Sequence, residues 1–384
     1  MNRIAAASAA LFATTAIAQA GGIERNGQSP AMLFEEGTYV ELSYSWADPS
    51  VSGTQLIPLP ATVSPPFPGA PTGSSSGDIA PSYSFAGLSF RTDITEDLSF
   101  ALMFDEPIGA NVNYVGIGPT AGYAYTVGTG SQAEITSRQI TAALRYEFGD
   151  GMSVYGGLRG VTADGTVSLF NGYTMDASGS NELGYMLGAA YEIPDIALRV
   201  ALTYYSETTH TFNAVEGGSS NTTFETTIPQ QVLLEAQSGV APGTLVFGSV
   251  RWTDWSEFEI APPGYLAAPT NVRKDPLVSY DNDTWTWTLG GARVLNDNWT
   301  LLGSVTYEAE QDGFSGNLGP TDGRTSVGLA ARYTQGPMRV TAGVSYSWIG
   351  DAQTEAPGAT PDIPFGNFTN NTALGFGLRV GYSF

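Results

Sequence analysis

GFGLRVGYSF, residues 375–384, ends the chain with apolar side chains that alternate strictly with small or polar ones. The apolar positions are Phe376, Leu378, Val380, Tyr382 and Phe384. Because successive side chains of a β-strand point to opposite faces of its sheet, this pattern predicts a strand with one apolar face. Two aromatic residues end that face, as they do on the outward faces of transmembrane β-barrels. The chain is therefore expected to end in the wall of such a barrel.

The same alternation recurs back to the beginning of the chain. In the first such segment, Val40, Leu42, Tyr44 and Trp46 alternate with Glu41, Ser43 and Ser45. The pattern predicts fourteen strands, near residues 38–47, 79–92, 97–105, 132–148, 152–170, 180–192, 196–212, 223–238, 244–260, 281–295, 299–312, 322–334, 338–351 and 370–384. Bacterial barrels of one chain have an even number of antiparallel strands, so this count fits a closed barrel.

The predicted connections alternate between long and short. Long connections are 48–78, 106–131, 261–280 and 352–369, and short ones are 92–97, 149–151, 194–195, 295–299 and 334–338. Outer-membrane barrels have short periplasmic turns and long extracellular loops, whereas a glycine-rich soluble β protein is not expected to sort its connections this way. The prediction is an all-β, transmembrane antiparallel β-barrel of about 14 strands with both ends in the periplasm.

The composition agrees with this class and excludes others. Charged residues are 14 % of the chain, where about 25 % is usual, while aromatic residues are 11 %. The net charge of -22 repels nucleic acid, so no nucleic-acid partner is expected. The chain has no cysteine, which excludes a disulfide framework and thiolate metal ligands. No cofactor is expected, and no spacing typical of a zinc or EF-hand metal site occurs.

The first twenty residues have the pattern of a signal peptide. Arg3 supplies a positive charge, residues 4–17 are mostly small and apolar, and Ala18-Gln19-Ala20 fits the cleavage site. A membrane anchor is the competing interpretation, but the apolar stretch is short and is interrupted by polar residues. We expect export, cleavage of residues 1–20 and a location in the bacterial outer membrane.

Several segments resemble the FadL-type outer-membrane transporters, a family of channels for long-chain fatty acids and aromatic hydrocarbons. The resemblance lies in Ser29-Pro30-Ala31, in residues 105–114 (DEPIGANVNY), in 198–210 with Ile228-Pro229 and 252–258 (WTDWSEF), in Asp297-Asn298-Trp299 and in the C-terminal Phe384. It implies a barrel of residues 38–384 with a periplasmic hatch formed by residues 21–37, which include Ser29, Pro30 and Ala31. It also implies hydrophobic ligands that are captured outside and released sideways into the membrane. Residues 21–37 are fewer than the usual hatch of the family.

Two groups of candidate site residues lie at and after the third strand. Apolar side chains in a loop without basic residues suit a hydrophobic ligand, and the candidates are Ile108, Val112, Tyr114, Ile117, Tyr123 and Tyr125. Packing of these side chains onto the rim is the other interpretation. Pro107 lacks an N–H and interrupts a ladder. The candidates for a lateral opening are Asp105, Glu106, Pro107 and Gly109, and a strand that simply ends there is the alternative.

Seven arginines are expected to point into the lumen by the alternation. They are Arg145, Arg159, Arg199, Arg251, Arg332, Arg339 and Arg379. A lipid-facing arginine costs roughly 2–4 kcal/mol at the membrane midplane, so any such barrel places them inside. We favour ion pairs with lumenal carboxylates for them, and binding of a fatty-acid carboxylate is the alternative.

Three functions remain open. A channel for passive uptake of hydrophobic small molecules is preferred, with long-chain fatty acids or similar compounds as substrates. A general porin for small polar solutes and an adhesive barrel are the alternatives. An enzyme is not expected, because Ser206 and His210 would lie about 13 Å apart on one strand. The expected partners are the substrate, outer-membrane lipid and lipopolysaccharide, and a closed barrel without free edges is expected to be monomeric.

Overall fold

The computed structural model describes residues 22–25, 28–58, 71–118, 122–356 and 363–384. Fourteen antiparallel strands form one closed barrel, which confirms the predicted fold class. They are β1 Tyr39–Ser50, β2 Tyr83–Asp93, β3 Leu98–Asp105 with Ala110–Gly118, β4 Gly128–Gly149, β5 Met152–Ser168, β6 Thr174–Gly179 with Glu182–Ile193, β7 Leu198–Tyr205 with Thr208–Glu216, β8 Ser220–Ile228 with Gln231–Ala241, β9 Thr244–Thr253, β10 Thr284–Val294, β11 Trp299–Glu308, β12 Arg324–Gln335, β13 Met338–Ile349 and β14 Asn371–Ser383. The predicted signal peptide lies outside the described residues.

Each strand pairs with its neighbours in sequence, and β1 closes the barrel by pairing with both β2 and β14. Tyr44 lies opposite Leu378 of β14 on one side and opposite Ala86 of β2 on the other. Closure satisfies the backbone N–H and C=O groups that a membrane cannot hydrate. The alternation is confirmed in β14, where Phe376, Val380 and Tyr382 are exposed on the outside of the barrel.

Four strands of the barrel, β3, β6, β7 and β8, are interrupted. The breaks lie at residues 106–109 in β3, 180–181 in β6, 206–207 in β7 and 229–230 in β8. The prediction of a loop from 106 to 131 was wrong, because Ala110–Gly118 continues as strand and β4 already begins at Gly128. The alternation predicted β6, β7 and β8 as continuous strands and did not indicate the breaks within them.

The connections confirm the alternation of short turns and long loops in part, because at the loop end residues 217–219 join β7 to β8 by a turn that is equally short. Turns of a few residues join β2 to β3, β4 to β5, β6 to β7, β8 to β9, β10 to β11 and β12 to β13. The long loops carry short strands: Gly53–Gln55, Pro364–Phe368 and Ala352–Glu355 form one small sheet, and Glu259–Ile260 pairs with Val278–Ser279. The helices are the 3-10 turns Pro30–Phe34, Ala124–Thr126, Pro194–Ile196 and Trp255–Glu257 and the α-helix α1, Pro263–Ala267. In the described part of the chain, none of the helices is both long and apolar enough to cross a membrane.

Three clusters of buried side chains fill the inside of the barrel from one end to the other. The first, at the short-turn end, packs Met32, Leu33 and Phe34 of the N-terminal segment against the inner faces of strands. The second surrounds Phe212, Ile228 and residues of the loop after β9. The third is the core of the extracellular loops. The N-terminal segment therefore lies inside the barrel, as expected of a hatch.

Candidate functional site

The predicted Ser-Pro-Ala segment starts the helical turn of the hatch. The Ser29 hydroxyl accepts a hydrogen bond from Ala31 N at 3.2 Å and donates one to Glu235 of β8 at 2.8 Å. Ser29 is the N-cap of the turn and Pro30 its first residue, a position where the missing N–H of proline is not needed. These contacts anchor the start of the turn to the wall.

Phe34 is a buried side chain of the hatch that packs against charged and aromatic side chains of the wall. The guanidinium carbons of Arg145 and Arg199 lie 4.5 and 4.4 Å from its ring centroid, and the edge of Tyr155 lies against it at 5.6 Å. Next to it, Glu35 forms an ion pair with Arg339 at 2.6 Å. Aromatic faces attract cations, so this region, here called the lower lumen, holds the hatch through charge as well as burial.

All seven predicted arginines lie on the lumenal side and have polar partners. Besides the contacts of Phe34 and Glu35, Arg145 pairs with Glu192 and Glu147, Arg251 with Glu24 at 3.5 Å and Arg379 with Glu41 at 3.2 Å. Arg159 binds Gln139 and the Ser206 carbonyl, Arg199 binds Gln237 and Arg332 binds Thr341. Sequence reasoning omitted Arg25, Arg91 and Arg324, which are also buried.

The hatch reaches the break in β3 through its first described residues. Arg25 N donates to the Pro107 carbonyl at 3.0 Å, and Gly109 N donates to the Ile23 carbonyl at 2.9 Å. The Arg25 guanidinium lies 4.5 Å from the ring centroid of Tyr83 in β2. Residues 23–25 therefore form a short antiparallel pair with residues 107–109.

The four candidates for a lateral opening lie at this break. Ladder pairing of β2 with β3 ends at Leu88–Phe104, whereas both parts of β3 pair with β4. Beyond Leu88–Phe104, hatch residues 23–25 bond to the break in β3, and Arg25 contacts Tyr83 of β2. Gly109 lets the Arg25 side chain lie directly against the backbone of the break, and an added Cβ there would displace the Arg25 guanidinium.

An apolar cavity lies on the inner side of strands β4 to β8. Ile108 of the β3 break borders it, and Phe212, Phe224, Ile228 and Phe258 are its largest lining side chains. Glu134 and Asp164 also border it, but their side chains are exposed on the opposite face of their strands from Ile135 and Ala163. Among the described residues, its lining contains no Arg, Lys or His. This apolar cavity therefore suits a neutral, hydrophobic guest.

A larger space of ≈ 2170 Å³, here called the vestibule, lies among the extracellular loops. Leu277, Val278 and Leu318 line both the vestibule and the apolar cavity. The vestibule is acidic, and its Arg273 pairs with Asp275 at 2.9 Å and Glu355 at 3.3 Å. Burial, with smaller contributions from Glu310 and other carboxylates, raises the pKa of Asp322 in this region to about 6.

The six predicted ligand contacts lie in four different places. Ile108 lines the apolar cavity and Tyr125 lines the vestibule. Val112, Tyr114 and Tyr123 lie in the loop core, where the two tyrosine rings stack at 5.6 Å and Tyr123 also contacts Phe365 at 5.5 Å. Ile117 is exposed. Loop hydrophobicity therefore did not identify the cavity, whose lining includes inward positions of predicted strands such as Phe212.

Ser206 and His210 each have separate structural partners. The Ser206 hydroxyl accepts from Tyr185 N, while His210 contacts Thr208 through Nε2 and the Ser180 carbonyl through Nδ1. Within the described ranges, no three His, Cys, Asp or Glu side chains are grouped so that they could hold a metal ion.

The comparisons with known proteins agree with this geometry. The family model described as "Outer membrane protein transport protein (OMPP1/FadL/TodX)" matches residues 4–384. No curated protein matches the sequence. Among solved structures, a Pseudomonas aeruginosa FadL homologue superposes with a TM-score of 0.73 at 16% identity, covering 97% of this chain and 99% of that chain.

Two further similar structures are transporters of toluene. For the Ralstonia pickettii toluene transporter TbuX the TM-score is 0.60 at 13% identity, with 94% of this chain and 97% of that chain covered. For the Pseudomonas putida toluene transporter TodX it is 0.59 at 10% identity, with 96% of each chain covered. At these identities the superpositions support the fold alone.

Proposed function

The chain belongs to the family of outer membrane transport proteins described as OMPP1/FadL/TodX, and from that premise we propose that it takes up hydrophobic small molecules passively. Long-chain fatty acids or similar compounds are the substrate class. The extracellular loops capture the ligand, and the barrel wall releases it beside Pro107. A general porin for polar solutes is less well supported, because hatch residues occupy the lower lumen.

The observation that carries the proposal is that the vestibule, the apolar cavity and the β3 break adjoin one another in this order. The vestibule and the apolar cavity share Leu277, Val278 and Leu318, and Ile108 joins the cavity to the β3 break. A hydrophobic solute that leaves water along this route gains roughly 25 cal/mol for each Å² of apolar surface buried. The polar lipopolysaccharide leaflet offers no such path.

The lining of the cavity favours neutral ligands over anions. A carboxylate moved into the apolar cavity would lose its hydration, and among the described residues no cationic side chain lines the cavity to compensate for that loss. Aromatic or aliphatic hydrocarbons and alcohols have no such cost. For a fatty acid, only the tail would enter, while its carboxylate would remain in the vestibule near Arg273.

Uptake of a radiolabelled neutral aromatic by cells lacking their own hydrophobe channel tests the proposal. Ala163→Phe fills the apolar cavity and should lower uptake at least about tenfold, because the guest site is removed. Ala292→Phe, a matched change at a buried alanine of another cluster, controls for general overpacking. Pro107→Val should also lower uptake by restoring strand at the break. Unchanged uptake in both Ala163→Phe and Pro107→Val would contradict the proposed route.

The proposal also includes the sequence-based expectations on export, oligomeric state and lipid contacts. We propose that residues 1–20 direct export and are removed, and that the barrel is a monomer. Exposed outward side chains such as Leu187, Leu289 and Leu329 would contact outer-membrane lipid and lipopolysaccharide. A closed sheet has no edge strand that needs a partner chain.

A further inference from the structure

A second interruption of the wall lies between β6 and β7. Their ladder pairing stops at Tyr205–Met186 and resumes at Phe212–Gly179. Single backbone bonds border the interruption: Ser206 N donates to Tyr185 O at 2.9 Å, and Ser180 N donates to Thr211 O at 3.0 Å. Between these bonds, residues 181–184 and 207–210 face each other outside the ladder. We call this region the β6/β7 gap.

Two serines end the ladder on both sides of the gap. The Ser206 hydroxyl accepts from Tyr185 N at 2.9 Å, and the Ser180 hydroxyl accepts from Thr211 N at 3.0 Å. Their carbonyls are directed elsewhere. Ser206 O accepts from Arg159 Nη1 at 3.0 Å, and Ser180 O accepts from His210 Nδ1 at 2.9 Å. Because buried backbone groups need partners, these side chains stabilise the strands in their separated arrangement.

The β6/β7 gap lies at the same height as the break in β3. The first parts of β3 and β7, Leu98–Asp105 and Leu198–Tyr205, are both 8 residues long and both begin at a short turn. A chain of hydrogen bonds joins the two places. Gln139 Nε2 donates to Asp105 at 3.2 Å, and Arg159 donates to Gln139 Oε1 at 2.8 Å and to the Ser206 carbonyl.

At the gap, only side chains lie between the apolar cavity and the membrane. On the inside, Phe212 lines the cavity, and its ring centroid lies 6.3 Å from that of His210. On the outside, Leu183 is 76% exposed. The Tyr185 and Tyr204 rings, 5.9 Å apart, lie beside the lower end of the gap. Thr208 and His210 are buried and fill the space between.

We propose that the β6/β7 gap is a second lateral exit, through which a neutral hydrophobic ligand passes from the apolar cavity to the outer leaflet. The proposal rests on the proposed uptake function. Where the ladder is continuous, separating two strands would break hydrogen bonds that the membrane cannot replace. At the gap the ladder is already open, so rotation of Thr208 and His210 is sufficient.

Disulfide locks test this exit. An added Cβ at Gly184 would lie 2.8 Å from Thr208 Cγ2, so G184C and T208C can bridge the gap. Glu24 and Ile108 form an antiparallel bridge, so E24C and I108C fix the hatch in the β3 break. The chain has no cysteine of its own, and the reduced form of each variant is its matched control. G184C with S206C replaces the first pair should that variant not fold, since Ser206 Oγ lies 3.0 Å from the same Cβ.

Uptake of the neutral aromatic is compared between oxidised and reduced protein. Oxidising the gap pair alone should halve uptake, and oxidising both pairs should lower it at least about tenfold, which corresponds to about 1.4 kcal/mol. The second exit is overturned if the gap lock changes uptake neither alone nor in addition to the hatch lock. Absence of uptake by the wild-type protein would instead overturn the proposed function, and the second exit with it.

Discussion

The lower lumen and the apolar cavity are enclosed by the same strands, yet their side chains have opposite chemistry. In β7, Arg199 lies over Phe34 of the hatch, whereas Phe212 of the same strand lines the apolar cavity. In β8, Glu235 accepts a hydrogen bond from the hatch, whereas Ile228 lines the cavity. The inward face of each of these strands is therefore charged towards the short-turn end of the barrel and apolar farther from it.

The difference shows how the barrel can hold the hatch firmly and still let a ligand move through the apolar cavity. A buried charge is costly unless it is paired, so lower-lumen arginines and carboxylates fix the hatch in one arrangement. Apolar contacts have little directionality, so a guest in the cavity can change its position at small cost. Three changes test this comparison, from the largest expected effect to the smallest.

A charge placed in the apolar cavity should have the largest effect. Ala177→Arg puts an unpaired guanidinium among side chains such as Met175 and Phe212, and uptake of a neutral aromatic should fall at least about tenfold. Ala177→Ser is the matched control. In the lower lumen, Gln237→Glu adds a charge beside Arg199, 3.5 Å away, and should keep uptake near the wild-type level. Equal losses for Ala177→Arg and Gln237→Glu would show that the two regions do not differ.

Loss of the hatch contact should have an intermediate effect. Phe34→Ala removes the ring held between Arg145 and Arg199. Loss of a buried aromatic ring lowers the free energy of unfolding by about 3–5 kcal/mol. Ion conductance in planar bilayers should rise several-fold while the barrel still migrates as folded on an unboiled gel. Phe34→Leu, which keeps most of the apolar volume, should stay close to wild type. An unchanged conductance in Phe34→Ala would mean that Phe34 does not fix the hatch.

A pH change should have the smallest effect and should be confined to the vestibule. The pKa of Asp322 is raised to about 6, mainly by burial, so the folded loop binds its proton more tightly than the unfolded loop does. Stability of the loop should therefore rise as the pH falls from 7 through 6 towards 5. Amide exchange within residues 309–323 should slow about twofold between pH 7 and pH 5, after correction for the intrinsic rate. Asp322→Asn should abolish this change, and an equal change in that variant would contradict the assignment to Asp322.

Sequence reasoning predicted the wall better than the site. The alternation in residues 375–384 and its repeats predicted the fourteen strands, because the membrane outside requires apolar side chains at every second position. It failed at the break of β3, since Pro107 indicated that a strand stops but not that Ala110–Gly118 resumes beside β4. The tyrosines of the same segment were apolar enough to suggest ligand contacts, yet Tyr114 and Tyr123 pack against each other.

The sequence by itself determined the class of barrel, the direction of its loops and the lumenal side of its arginines, because these follow from a period of two and the cost of charge in lipid. Only the tertiary structure decided which residues are neighbours inside the barrel. The hatch on the β3 break, the apolar cavity behind Phe212 and the hydrogen bonds from Asp105 to Ser206 join residues far apart in the chain. Such contacts depend on closure of the barrel, which brings distant strands around one lumen, and no local pattern records them.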